Sequence, residues 1–166
     1  MNTLKIDSIK GIIFVIIVGI ISHYVYDWSG QNIFLGLFFP INESTWEHMK
    51  LFYFPMLVFS IYLNHKRKKE SPCITTALLC GILAGTVLIP ILFYTYSGII
   101  GNNFIIADIL VFFISTILAW IAVFRINLSC RFSSHEYLLK LLVIIFGICF
   151  ILFTYRPPEL NLFISP

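Results

Sequence analysis

Charge is scarce in this chain. Lys and Arg number 11 and Asp and Glu 8 among 166 residues, so only 11% of positions are charged while 59% are hydrophobic. Soluble domains carry about 25% charged residues, and so few charges do not screen this much apolar surface from water. A soluble globular domain is thereby excluded. Repeats, low-complexity tracts and linkers are lacking too, so the whole of 1–166 reads as one domain. Cysteines are few: Cys73, Cys80, Cys130 and Cys149 show neither metal-ligand spacing nor a disulfide framework. They are expected to be reduced thiols that fill small apolar spaces. No HExxH, no Gly-x-Ser-x-Gly and no Cys/His nucleophile pair occurs, which removes the usual hydrolase signatures.

Long apolar runs are what the chain does have, and its mean hydropathy is +0.94. A hydrocarbon core of about 30 Å takes around 20 helical residues to cross. Five segments meet that length: 10–28, 44–64, 73–94, 104–124 and 138–155. Lipid-exposed backbone must satisfy its own hydrogen bonds, so each reads as a helix. The expected fold class is all-α, an integral membrane helical bundle of about five transmembrane helices. Residues 29–40, "SGQNIFLGLFFP", are too short to cross and read as a re-entrant or interfacial segment after the first helix. Pro55 and Pro90 fall inside the second and third segments, and Ala77, Gly81 and Gly85 form a small-residue stripe.

The basic residues set the expected orientation. With a cytoplasmic N-terminus, Lys5, Lys10, Lys66, Arg67, Lys68, Lys69, Arg125, Arg131 and Lys140 face inward, leaving Lys50 and Arg156 outside. The run "NHKRKKES" then reads as a topology-fixing loop among lipid headgroups, not as a nucleic-acid patch. Lys5 and Lys10 before "GIIFVIIVGIIS" resemble a signal peptide, but "HYVYDW" offers no small-x-small cleavage site, so an uncleaved anchor is expected. The expected location is the cell membrane, multi-pass, with the C-terminus extracytoplasmic.

On this threading the ionisable residues of "INESTWEHMK" gather at the outer end of the second helix. His23 and Asp27, at i and i+4, share a face at the outer end of the first. Asp108 lies about one turn inside the fourth. Ionisable groups at such depth usually face the bundle interior or a water-filled cavity. Candidate catalytic residues are Glu43, Glu47, His48 and Asp27. Candidate metal ligands are His23, His48, Glu47 and Asp108, with zinc the cofactor such a set would suit. Each has a plainer role. Ser44-x-x-Glu47 fits a capping box, Lys50 is placed to pair with Glu47 at i, i+3, and the histidines and Asp108 are placed to bond neighbouring helices.

The stretches "SHYVYDWSGQN", "NESTWEHMKLFYFP" and "FTYRPPELNLF" resemble an uncharacterised bacterial family of small multi-pass membrane proteins with a domain of unknown function. The likeness runs over nearly the whole chain, and the NESxWEHxK motif is its most specific part. His23, Trp28, Gly30, Asn42, Glu43, Ser44, Trp46, Glu47, His48 and Lys50 match its motif positions. It implies a fold and a polar patch but no activity. The Glu, Asn and His grouping is also similar to the first motif of the seven-helix ceramidase and adiponectin-receptor hydrolases. Those use a late His-x-x-x-His pair, and the histidines here are His23, His48, His65 and His135.

Three functional readings follow. A non-catalytic membrane component (accessory, immunity or sensor) fits the small size and the absence of a soluble domain. A membrane-embedded hydrolase, metal-dependent or not, acting on a lipid or envelope substrate, fits the histidine–carboxylate grouping. A small transporter or permease fits the broken segment and the Asp inside the bundle. The partners implied are the lipid bilayer and either a second copy or a partner membrane protein, and no nucleic acid.

Overall fold

The computed structural model describes residues 2–165, which form six α-helices and two 3-10 turns with no strand among them. The helices are α1 (Asn2–Trp28), the single turn α2 (Ile33–Gly36), α3 (Thr45–Arg67), α4 (Ile74–Ile100), α5 (Ile105–Ser129) and α6 (Glu136–Tyr155). The all-α expectation holds. Three stretches, Ile74–Ile100, Ile105–Ser129 and Ser133–Tyr155, are long and apolar enough to cross a membrane.

Helix α4 packs on α5, α3 and α6, α5 also closes against α1, and α3 lies between α1 and α4. The buried face of α3 carries Met49, Phe52, Tyr53, Met56, Phe59 and Leu63, spaced at the helical period. Its other face leaves Val58, Ile61 and Tyr62 more than half exposed. Ile13, Ile17, Ile109, Ile144 and Leu152 are similarly bare on α1, α5 and α6. In water that surface would far exceed the apolar patches a monomer tolerates. Against hydrocarbon it is the expected exterior of a membrane protein.

Helices in lipid gain little from excluding water between them and depend on close packing. The small residues of α4 provide it. A Cβ on Gly85 would overlap the Phe52 ring, and one on Gly81 would overlap Val123. The stripe therefore seats α4 against α3 and α5 inside the chain. Helices α3 and α4 continue through Pro55 and Pro90. Helix α4 runs on to Ile100, where Gly101 at φ 84° supplies the left-handed stop.

The first helix begins at Asn2, ahead of Lys10, because its opening turns find partners. Asp7 is 3% exposed and receives Arg67 Nε at 2.7 Å and Lys66 Nζ at 3.5 Å from the end of α3. At the same end Ser71 donates to Asn127 at 2.8 Å and Thr75 to Asn64 at 2.7 Å. The cysteines depart from the expectation of reduced thiols. Cys73 and Cys130 are joined in a disulfide, while Cys80 and Cys149 are free. The antiparallel α4–α5 hairpin brings the start of one helix to the end of the other, a proximity that the spacing in sequence conceals.

Candidate functional site

The site begins with how α3 starts. Ser44 is the N-cap, and its hydroxyl accepts the Glu47 N–H at 3.4 Å. A full capping box would return the Glu47 carboxylate to the Ser44 N–H. Asn42 Oδ1 takes that N–H instead, at 2.9 Å. The freed Glu47 carboxylate accepts the Ile41 N–H at 3.0 Å and the Lys50 ammonium at 2.7 Å.

Lys50 is 1% exposed and Glu47 2%. An ammonium has three protons to satisfy, and all three have acceptors here. Lys50 Nζ donates to Glu47 Oε2, to Thr154 Oγ1 at 2.6 Å and to the Gly36 carbonyl at 3.1 Å. Thr154 in turn donates to the Phe150 carbonyl at 2.6 Å. One side chain thus fastens α3, the end of α6 and residues 29–44, hereafter the cap. The Tyr155 hydroxyl donates to the Ile33 carbonyl at 2.9 Å. Gly36 lies so close under Tyr155, Ile41 and Tyr26 that a Cβ there would displace their side chains. Trp46 packs tilted against Phe150 and Phe163, their centroids 4.6 and 4.8 Å away, which draws in the C-terminal turn.

A second group lies beside this latch and opens to solvent. His23 Nε2 and His48 Nε2 approach the same oxygen of Glu43, at 3.6 and 3.3 Å. The three residues place their ligand atoms within 4.8 Å of one another. The histidine side chains are about one-third exposed and Glu43 is 67% exposed. The His48 ring is held by Nδ1 at 3.0 Å from the Ser44 carbonyl. A carbonyl only accepts, so Nδ1 carries a proton and Nε2 faces Glu43.

The other expected residues are placed elsewhere. Glu47 belongs to the latch. Asp108 accepts from the Tyr96 hydroxyl, which ties the end of α4 to the start of α5. Asp27 is exposed, and its carboxylate meets no hydrogen-bond partner among the described residues. The expected set is therefore divided: His23 and His48 come together, around Glu43. Sequence reasoning missed Thr154 and Tyr96, which lie far from "NESTWEHMK" in the chain, and Gly36, whose backbone carbonyl carries no motif of its own.

No curated protein and no solved structure matches the chain. As the motifs led one to expect, the match is to a domain without an assigned activity: residues 1–165 fit the model of a family of unknown function (DUF6512), and the chain belongs to that family.

Proposed function

We propose that the chain is a five-span membrane protein acting as a non-catalytic component of the cell membrane, an accessory, immunity or sensor subunit. Its basic end and N-terminus face the cytoplasm, and the latched cap and C-terminus face outward. Helices α1, at 27 residues, and α3, at 23, fall within the 20–27 residues of the three most apolar helices and pack in the same bundle, which supports five crossings. The exposed Ile33 and Phe34 of α2, at 67% and 78%, suit a cap that rests in the headgroup layer.

The observation that carries this reading is the latch. Both buried ionisable groups at the start of α3 are committed to partners within the chain, so the polar cluster works as glue between helices and cap. Lys50→Met and Thr154→Val test it. Loss of protein from the membrane, with protease cutting in residues 29–44, is the expected result. Variants that accumulate normally with an intact cap would move the cluster's role to chemistry.

One observation favours a second reading. His23, Glu43 and His48 surround a space open to solvent, where a membrane hydrolase acting on a lipid or envelope substrate would work.

A further inference from the structure

We propose that His23, Glu43 and His48 form a binding site for a divalent transition metal of the zinc class, with one coordination position left to solvent. The site pins α1 to the segment that opens α3. This goes beyond the component reading and does not depend on it.

The distances carry the argument. Zinc binds imidazole nitrogen and carboxylate oxygen at about 2.0–2.2 Å, so two ligands of one tetrahedral ion stand about 3.3–3.6 Å apart. The two His–Glu43 separations are 3.3 and 3.6 Å, and the remaining edge is no longer than 4.8 Å. Both imidazoles aim Nε2 at one carboxylate oxygen, with ring centroids 5.4 Å apart and planes inclined by 55°. Two rings meeting at one point from separate helices is how ligands surround an ion.

The electrostatics lead the same way. Because His48 Nδ1 donates to the Ser44 carbonyl, a neutral ring turns a lone pair toward the Glu43 carboxylate. The two negative ends repel unless a cation lies between them. A single divalent ion satisfies all three ligand atoms at once. The Nδ1–H to carbonyl bond is also the outer-shell contact that fixes the tautomer of metal-binding histidines. Two nitrogens and one carboxylate oxygen suit zinc, nickel or copper better than magnesium or calcium.

The test uses the full chain in detergent, stripped with a chelator and titrated with zinc against a chromophoric competitor. One ion per chain is expected. His23→Ala and Glu43→Gln should each weaken binding by more than the roughly 10–100-fold that loss of an outer-shell partner costs. His65→Ala, at an exposed histidine outside the group, should bind as the parent does. Glu43 is largely exposed, so Glu43→Gln leaves the packing intact should His48→Ala loosen the cap. Cobalt in place of zinc should give visible d–d absorption that Glu43→Gln abolishes. Substoichiometric uptake by the parent, or equal affinity in His23→Ala and Glu43→Gln, would overturn the site and leave histidine–carboxylate ion pairs in its place. Neither result bears on the latch, which Lys50→Met tests separately.

Discussion

The ammonium of Lys50 lies 2.7 Å from the Glu47 carboxylate, one helical turn away, with both side chains closed off from solvent. Such a pair holds only while every lone pair and proton is answered, since removing an ion from water costs several kcal/mol. Ile41, Gly36 and Thr154 supply the answers.

Removing one member should therefore do more damage than removing both. Lys50→Met strands a buried carboxylate and should destabilise the protein by about 3–5 kcal/mol, whereas Glu47→Gln with Lys50→Met should recover most of that loss. Unfolding midpoints in mixed detergent and denaturant, compared as a double-mutant cycle, measure the difference.

Gly36→Ala should loosen the cap. Its new methyl would collide with the Tyr155 hydroxyl and crowd Ile41, an overpacking cost of about 1–3 kcal/mol. Proteolysis within residues 29–44 should speed up. Adding Tyr155→Phe removes the colliding oxygen, so the double variant should be cut more slowly than the two single effects together predict.

The Cys73–Cys130 bond sits at the basic end of the bundle. On the proposed orientation that end meets the reducing cytosol, where disulfides are rare. Thiol trapping should find all four cysteines as thiols in growing cells. After purification in air, only Cys80 and Cys149 should alkylate before reduction. Trapping the bond in growing cells would reverse the orientation.

Tyr96→Phe should weaken the junction of α4 and α5. Asp108 would lose its hydroxyl donor, and a hydrogen bond to a charged group contributes about 1.5–3 kcal/mol. Thermal unfolding in detergent should register the loss, and Asp108→Asn, which keeps an acceptor, should cost less.

Much of this architecture was legible because hydrocarbon imposes a simple rule. Apolar runs of bilayer length must be helices, and Ser44 before "TWEH" marked where α3 starts. The partners were harder to read. Lys50 toward Glu47 follows from i, i+3 spacing, but Thr154 lies 104 positions away. The metal-ligand set drew on Glu47, whereas the structure gathers Glu43 with the histidines. Adjacent helical residues do not share a face, so Glu47 and His48 point apart, while Glu43, just before the N-cap Ser44, folds back over the His48 side. The disulfide was invisible for the same reason as Thr154: helix pairing creates it, and no local pattern records helix pairing.

Synthesis proceeds from the N-terminus, so on the proposed five-span reading α3 enters the bilayer before the Thr154 hydroxyl has left the ribosome. Until α6 arrives, the Lys50 ammonium has at most two of its three acceptors, and the Phe163 ring has not yet covered Trp46. The last α-helix to be made is thus the one that completes the latch. Nascent chains arrested before α6 should expose residues 29–44 to a quality-control protease that the finished protein escapes.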